Sequence, residues 1–472
     1  MAWFSGWGYR KSITISRSAG AVNNHRKRVV VGESGIGETQ VHACEATTGW
    51  TTTGGTLATD TGYEGTYCLK MTATQAGTET VCTFSSEDWS DIRYLKVSLK
   101  RGAISGLTYL ALWDSSGGIN TYLLSTTTDW VDITVDLSDP MDSVGLIDFS
   151  DIVKFQFGTY TDDLVLYIDD IRTMTALIDC EGNCASDFDD LRFATSDGET
   201  LLDYWIESIS GTTPNQTADV WVEWDTIGTS ATTFYLYYGK GSAEAYSDGE
   251  ATFPLFDDFD GDAVDTDKWT DNGGTTVAGG ILTVAATSAA AYGVKGKVEY
   301  GTDYILRSKV KPTHVGNTTY LERICWIALA TNDQLSAYFN HVVGGYNNKY
   351  TNVLNAGTYT AEAILTATAG VFQTVEITRN STVAGHYKLN DKGVASITAN
   401  LFTGNLVPDI TAYANGAGIE CDWILVRDYL AVPPFWGSFG SEEEATGWMG
   451  KICGVTNPSK ICGVPTSDVG EV

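Results

Sequence analysis

Paired carboxylates are the first residues in this chain that could do chemistry. Retaining hydrolysis of a glycosidic bond needs an acid and a nucleophile, both carboxylates, about 5 Å apart. An E-x-D-x-x-E strand supplies them because residues two apart share a face. Residues 255–440 contain no such pattern: LERICW at 321–326 has one acid, and EWDTIGT lies elsewhere, at 223–229. We therefore assign no catalytic residues and predict that the chain is not an enzyme.

Other reactive residues give little support for nucleophilic or metal chemistry. The acidic run DDFDGD at 257–262 has its Gly in the wrong place for an EF-hand, and no Glu follows at loop position 12. Cys180 and Cys184 have a spacing compatible with zinc, but no second ligand pair accompanies them. The chain has no G-x-S-x-G elbow, and its five histidines are scattered: His25, His42, His314, His341 and His386.

Strands must position whatever site exists. The 472 residues include 50 Gly and only 9 Pro, and Thr-, Val-, Tyr- and Trp-rich runs between Gly, Asn and Asp turns are typical of all-β proteins. At roughly 150 residues per domain, the length predicts about three domains. The absence of any 18-residue apolar run predicts no membrane insertion, and the net charge of −30 argues against nucleic acid as a partner.

Four sequence blocks resemble a family of uncharacterised β-sandwich domains found in secreted archaeal and bacterial proteins and in phage structural proteins. In that family the first strands lead directly into DFDDLRF, whereas here residues 44–178 intervene. A whole domain can be inserted at a loop tip, so the resemblance implies one discontinuous domain, residues 1–43 plus 179–252, with an insert at 44–178. The blocks are W-x-YRK-x-ITI from Trp7, DFDDLRF from Asp187, LLDYWIES from Leu201 and FYLYYGK from Phe234.

The other two segments resemble sugar-binding folds. The insert is similar to carbohydrate-binding modules of the galactose-binding jelly-roll type, with a GW-containing start, G-x-Y-x-L-K at 65–70 and YIDDI at 167–171. Residues 253–440 open with LFDDFDGD and close with DW-x-x-VR at 422–427, which is similar to the concanavalin-A-like, LamG-type lectin sandwich. The predicted fold is all-β, with three β-sandwich (jelly-roll) domains, one inserted in another, plus a short C-terminal repeat tail.

Nine cysteines leave at least one unpaired. Cys68 and Cys82 lie symmetrically about a turn near 75–77, so a disulfide across a hairpin is one hypothesis. Cys44 and Cys180 bracket the insert, and a disulfide between them would close its neck. Two free buried thiols are the alternative there.

Both lectin-like resemblances imply a structural Ca²⁺ between an acid at the start of the fold and an Asp on its last strand. The matching residues are Glu45 with Asp169 or Asp170 in the insert, and Asp258 with Asp422 in the lectin-like domain. Two carboxylates and backbone carbonyls would suit a hard cation. Solvated turn acids are the alternative.

The abundance of aromatic residues favours sugar binding, because sugars pack their apolar faces on aromatic rings with polar side chains around them. The candidate in the insert is Trp113. Those in the lectin-like domain are Trp326, Tyr338, Asn340 and His341. Each aromatic residue could instead pack in a core.

Residues 441–472 hold an acidic linker and a repeat, KICGVTNPS then KICGVPTSD. The repeat resembles the GK-x-x-GV…AK-x-x-GV tails of many phage structural proteins, and nine residues are too few to bury a face alone. We predict a strand-forming assembly hook, against the alternative of a disordered tail. Its residues are Lys451, Cys453, Val455, Lys460, Cys462 and Val464.

Together these features predict a virion surface protein, made in the host cytoplasm, that binds host glycans as a tail, fibre or head-decoration component. The N-terminus does not read as a signal peptide. The expected partners are host surface glycans, other virion proteins through the tail or the basic N-terminal segment, and further copies of the chain, with a trimer favoured. The alternatives are an exported cell-surface adhesin of an archaeon or bacterium, and a polysaccharide depolymerase.

Overall fold

The computed structural model is nearly all β, which confirms the predicted fold class. It describes residues 4, 6–17, 19–124, 126–144, 147–315, 320–331, 333–340, 350–355, 358–364, 367–380, 386–397 and 402–445, and four dipeptides at 451–452, 455–456, 460–461 and 464–465. The chain forms two compact units. Unit 1 comprises Met1–Glu38, Met174–Thr252 and Pro434–Val472, and unit 2 comprises Thr39–Thr173 and Phe253–Pro433.

Nineteen strands and one short helix are described before residue 253. The strands are β1 Tyr9–Ser16, β2 His25–Gly32, β3 Thr39–His42, β4 Trp50–Thr53, β5 Gly55–Thr61, β6 Tyr67–Ala73, β7 Thr78–Glu87, β8 Tyr94–Arg101, β9 Thr108–Asp114, β10 Ile119–Leu124, β11 Val131–Asp136, β12 Asp142–Val144, β13 Ile152–Thr159, β14 Val165–Met174, β15 Ile178–Asp179, β16 Arg192–Ala194, β17 Tyr204–Ser210, β18 Thr217–Trp224 and β19 Thr232–Tyr238. A 3-10 turn spans Phe149–Asp151, and helix α1 spans Gly249–Thr252.

The described strands after residue 253 are β20 Leu255–Asp257, β21 Trp269–Asp271, β22 Thr275–Ala278, β23 Ile281–Ala285, β24 Ala291–Gly296, β25 Tyr304–Pro312, β26 Leu321–Ile327, β27 Gln334–Asn340, β28 Tyr350–Asn355, β29 Thr358–Ile364, β30 Gln373–Arg379, β31 His386–Leu389, β32 Lys392–Ser396, β33 Val407–Tyr413, β34 Gly418–Asp428, β35 Phe435–Phe439, β36 Glu443–Glu444, β37 Lys451–Ile452, β38 Val455–Thr456, β39 Lys460–Ile461 and β40 Val464–Pro465.

Unit 1 contains two sheets with an aromatic core. One sheet runs β16–β19–β1–β35, with β36 also on β1, and the other runs β15–β2–β18–β17. The ring of Trp224 on β18 contacts three rings of the first sheet, those of Phe193, Phe234 and Trp436, at centroid distances of 5.1 to 5.8 Å. The fold of this unit therefore depends on Trp436, far along the chain.

The position of β35 corrects a predicted domain boundary. The sequence assigned residues up to 440 to the lectin-like domain, but β35 pairs with β1, Ile13 opposite Phe439 and Ser16 opposite Phe435. Pro433 and Pro434 stand between β34 and β35, and proline cannot donate to a ladder. The two prolines therefore end the lectin sandwich.

The acidic segment predicted to be a linker is also part of unit 1. Glu443 forms an ion pair with Arg10 at 2.7 Å, and the Glu442 carboxylate accepts from the Tyr238 hydroxyl at 2.6 Å. Three of the other N-terminal bases also pair with acids: Lys11 with Glu181, Arg26 with Glu223 and Arg28 with Glu207. The acidic neighbours of this basic segment are residues of the chain itself.

The insert forms one half of unit 2. Its sheets run β11–β8–β14–β6–β5 and β12–β10–β9–β13–β7–β4, with the buried core between them. β3 pairs with β14, where His42 is opposite Ile171, so residues 39–43 belong with the insert and not with the first domain as predicted. Apolar residues alternate along β9 and β13, which leaves one face of each strand for other uses.

The lectin-like segment forms the other half of unit 2, around a separate core. Its sheets run β22–β23–β34–β25–β30–β31–β32, with β20 on β34, and β21–β24–β33–β26–β27–β28–β29. Lys388 on β31 joins the halves: its ammonium donates to the carbonyl of Ser138 at 3.1 Å and to Asp139 at 2.9 Å. Among the described residues, no helix is long and apolar enough to cross a membrane.

Both predicted disulfides are wrong. The structure records Cys44, Cys68, Cys82 and Cys180 as free and buried. Cys68 lies on β6 and Cys82 on β7, and these consecutive strands belong to different sheets of the insert and do not form a hairpin. Burial raises the pKa of the Cys44 thiol well above its usual range, with Asp169 adding to the effect, so this thiol stays protonated.

Candidate functional site

The acids predicted to bind calcium in the insert already accept hydrogen bonds from backbone amides. Glu45 accepts from the amides of Thr66 and Tyr67, both at 2.9 Å. Asp169 accepts from the amides of Tyr63 and Glu64, at 2.8 and 3.0 Å. These hydrogen bonds fix the loop at 62–67 and use part of the acceptor capacity of each carboxylate, so the calcium assignment stays a prediction.

Asp170, the other candidate acid in the insert, is also occupied. Its carboxylate accepts from Gln40 Nε2 at 2.5 Å and pairs with Arg172 Nε at 2.6 Å. A guanidinium in contact with the carboxylate supplies the positive charge that a metal would supply. Asp170 therefore links β14 to β3.

In the predicted calcium pair of the lectin-like domain, Asp422 already pairs with Lys309 at 2.7 Å. Burial, and then the charge of Asp260, raise the pKa of Asp258. The preceding residue, Asp257, has the structural role that sequence reasoning missed: it accepts from Trp269 Nε1 at 2.6 Å. Within the described residues, no three His, Cys, Asp or Glu side chains group as metal ligands.

Two of the predicted sugar-binding residues of the lectin-like domain are buried. Trp326 is fully buried in the core and donates its indole N–H to the carbonyl of Ile377 at 3.0 Å, so its prediction as a stacking platform is wrong. Tyr338 is 1% exposed, and its hydroxyl accepts from Gln334 Nε2 at 2.6 Å and from Arg323 at 3.2 Å. Asn340 ends β27, and His341 lies outside the described residues.

Trp113, the candidate in the insert, does face outward. It is half-buried on β9, where Leu110 and Leu112 point into the core and the alternate residues Tyr109, Ala111 and Trp113 share the other face. On the neighbouring β13, Lys154 is opposite Trp113 and Gly158 is opposite Tyr109. We call this surface the β9 face: Tyr109, Trp113, Lys154, Gln156 and Tyr160.

Gly158 shapes the β9 face. A Cβ atom at this position would lie 2.3 Å from Cζ of Tyr109, so the Tyr109 ring lies directly over the backbone of β13. The Tyr109 ring also contacts that of Tyr160, at a centroid distance of 5.1 Å, and Tyr160 is 54% exposed. A larger residue at 158 would lift the ring off the sheet.

Polar side chains are fixed beside these rings. Gln156 donates to the Tyr109 hydroxyl at 3.3 Å and to the carboxylate of Glu79 on β7. Burial raises the pKa of the Tyr109 hydroxyl, so it remains a neutral donor and acceptor. Gln156 is therefore held in one orientation by two partners.

A cation covers the Trp113 end of the face. The Lys154 ammonium lies 3.2 Å from the centroid of the indole ring, a favourable cation–π arrangement. Burial lowers the pKa of Lys154, and Glu79 opposes that shift. The indole N–H of Trp113 has no hydrogen-bond partner in the part of the chain that the structure describes.

The β9 face thus combines the exposed ring of Tyr160 with the half-buried side chains of Trp113 and Lys154. The ring of Tyr109 and the amide of Gln156 on the same side of the sheet are buried, each 8% exposed. From Tyr109 to Trp113 the strand rises roughly 14 Å at about 3.4 Å per residue. Sequence reasoning found Trp113 but missed Tyr109 and Gln156. Strict alternation in TYLALWD would have found Tyr109, whereas nothing in the sequence pairs it with Gly158.

A family model matches one segment of the chain. Residues 187–272 match a family model described as a domain of unknown function, DUF2341. The match begins at the DFDDLRF block and covers the second part of unit 1 and the first strands that follow it. No curated protein matches the chain.

Solved structures of glycan-degrading enzymes match about two fifths of the chain. One, reported with endo-acting O-glycanases that human gut microbiota express to initiate mucin breakdown, is 14% identical over 38% of this chain and all of its own, with a TM-score of 0.32. A β-1,3-glucanase from Mycobacterium marinum is 14% identical over 37% of this chain and 98% of its own, with a TM-score of 0.30. A Bacillus licheniformis β-glucanase is 11% identical over 37% and 97%, with a TM-score of 0.31.

Identities this low show a shared fold alone. With TM-scores of 0.30 to 0.32 they carry no argument about what this chain does. The prediction that the chain is not an enzyme nevertheless does not stand. That prediction was based on the lack of an E-x-D-x-x-E pattern at 255–440. This pattern is only one way in which two carboxylates can be arranged.

Proposed function

We propose that the chain is a glycan-binding protein and that the insert binds an oligosaccharide on its β9 face. The observation that carries the proposal is the row of aromatic side chains Tyr109, Trp113 and Tyr160 beside the fixed amide of Gln156. Aromatic rings pack on the apolar faces of sugars, and a few polar groups orient the hydroxyls. The resemblance of the insert to carbohydrate-binding modules agrees with this role.

The Trp113 indole would make two interactions with the sugar. When the Lys154 side chain moves aside, the Trp113 ring would pack on a pyranose, and the indole N–H would donate to a hydroxyl oxygen of the sugar. A buried donor without a partner costs about 1–3 kcal/mol, so a ligand hydroxyl at that nitrogen would remove this cost. Lys154 would then be free to bind a polar group at the edge of the same sugar.

We further propose that the chain works on a virion surface, as a tail, fibre or head-decoration component. The KICGV repeat supports this proposal, since the described parts of the tail pair as two small hairpins, β37 with β38 and β39 with β40. Hairpins this short need a larger sheet or a second copy to be stable. A trimer would also turn weak sugar binding into useful avidity.

A glycan array tests the binding proposal. Wild-type protein is expected to bind a defined subset of glycans, and Trp113→Ala to lose tenfold or more in affinity, about 1.4 kcal/mol. Tyr246→Ala, which removes an aromatic residue 39% exposed in unit 1, is the control and should bind like wild type. Binding to no glycan, or equal binding by Trp113→Ala, would refute the proposal.

Two further measurements separate the alternatives. Mass spectrometry and immunogold labelling of purified virions should find the chain on the particle; its presence only in host membranes or culture supernatant would favour the exported adhesin. Reducing ends released from the bound polysaccharide would identify a depolymerase.

A further inference from the structure

A second aromatic cluster lies on the other sheet of the insert. The rings of Tyr63 and Trp130 stack at a centroid distance of 5.4 Å and an interplanar angle of 23°. Trp130 also meets Tyr167 edge-on, at 6.3 Å. Tyr63 is 48% exposed, and Trp130 and Tyr167 are half-buried. We call Tyr63, Lys70, Lys100, Trp130 and Tyr167 the Lys100 face.

Two lysines converge on these rings. The Lys100 ammonium lies 4.5 Å from the Tyr167 centroid and 5.3 Å from that of Trp130, and the Lys70 ammonium lies 5.4 Å from Tyr167. Lys70 is neutralised by Asp60, at 3.0 Å. Lys100 has no carboxylate within ion-pair distance among the described residues, although the chain carries 59 acids against 29 bases.

Lys96, on the same strand as Lys100, provides a comparison because it does form an ion pair. Lys96 lies four residues earlier on β8, where alternation places both lysines on the same face. It is paired with Asp132, at 3.3 Å. Lys100 makes no such ion pair among the described residues, although Asp60 lies near enough to interact with it electrostatically, so its ammonium can bind an external anion.

The loop that carries Tyr63 is held in place. Asp169 accepts from the Tyr63 and Glu64 amides, and Glu45 from those of Thr66 and Tyr67. Asp169 is itself buried on β14, two residues from Tyr167. The rings are therefore organised in advance, which lowers the entropic cost of binding.

We propose that the Lys100 face binds a carboxylated glycan, a polysaccharide with uronic or sialic acid units. The sugar ring packs against Tyr63 and Trp130, and its carboxylate accepts from the Lys100 ammonium. Charge complementarity selects this occupant: beside its rings the face offers an ammonium that makes no ion pair among the described residues, which suits an acidic sugar better than a neutral one. The site is separate from the β9 face and does not depend on it.

Titration calorimetry with three polysaccharides tests the proposal: polygalacturonate, alginate and polysialic acid, each beside its carboxyl-reduced form. Wild-type protein is expected to bind at least one native polymer, tenfold or more tighter than its reduced form, and more weakly at high salt. Lys100→Gln should lose about tenfold, the loss of one charge-assisted hydrogen bond, and Lys100→Arg should retain most of the affinity.

Lys96→Gln is the matched control and should bind like wild type. Trp113→Ala, on the other sheet of the insert, should leave the difference between native and carboxyl-reduced polymer in place. Melting temperatures verify that each variant is folded. The proposal is overturned if no native polymer binds, if native and reduced forms bind equally, if Lys100→Gln binds like wild type, or if Trp113→Ala abolishes the carboxyl-dependent binding.

Discussion

At the scale of single residues, the β9 face depends on a glycine. Gly158 allows the ring of Tyr109 to lie over β13, where its hydroxyl meets Gln156. The sequence shows Tyr109 and Gly158 far apart, and only the register of β9 with β13 brings them opposite each other. The most informative substitution is therefore one that adds a single methyl group.

Gly158→Ala is expected to weaken glycan binding at least as much as Trp113→Ala does, because the new Cβ displaces the Tyr109 ring. The ring can turn toward solvent, so the free energy of unfolding should fall by only about 1–3 kcal/mol, the usual cost of overpacking. Titration calorimetry and thermal melts measure the two effects. Gly241→Ala, where a Cβ meets nothing within 4 Å, is the control; unchanged binding by Gly158→Ala would contradict this account of the face.

Individual side chains also show where sequence reasoning fails. Trp113 and Trp326 were both predicted to bind sugar, with core packing as the alternative; Trp113 is half-buried on the outer side of β9, whereas Trp326 is in the core. A single strand does not reveal which of its faces is buried. Glu45 and Asp169 were assigned to calcium, and the sequence did not show that backbone amides also meet these carboxylates.

At the scale of strands, the alternation of polar and apolar residues predicted the all-β fold well. Closeness in sequence was a poor guide to which strands pair. Cys68 and Cys82 lie on consecutive strands, yet the chain crosses from one sheet to the other between them. The strand around Trp436 follows the lectin-like segment in sequence but completes the sheet of β1. Pairings between strands more than four hundred residues apart leave no local pattern.

Trp436→Ala tests this long-range pairing. The substitution removes a buried ring that contacts Trp224, and it is expected to lower the free energy of unfolding of unit 1 by about 3–5 kcal/mol. Hydrogen exchange should quicken in β1 and β18. If exchange quickens only in β20 to β34, then β35 belongs to the lectin-like sandwich as the sequence suggested.

At the scale of the whole molecule, ion pairing distinguishes the bases that contact acids of this chain from those that could bind an external anion. The chain carries −30, and several bases of its N-terminal segment are paired with its own acids. The Lys100 ammonium, like that of Lys154 on the β9 face, makes no ion pair among the described residues and lies against aromatic rings, and the two sheet surfaces of the insert provide separate aromatic clusters. A multivalent assembly would multiply both, which suits adhesion to a repeating polysaccharide.

Photo-crosslinking tests the central claim most directly, that a glycan binds on the β9 face. An array-selected oligosaccharide carrying a diazirine is bound, irradiated and located by mass spectrometry of the digested protein. The label is expected in peptides containing residues 108–114 and 152–160, and is expected to disappear with Trp113→Ala. Label confined to the lectin-like strands at 321–340, or label unaffected by Trp113→Ala, would contradict the account.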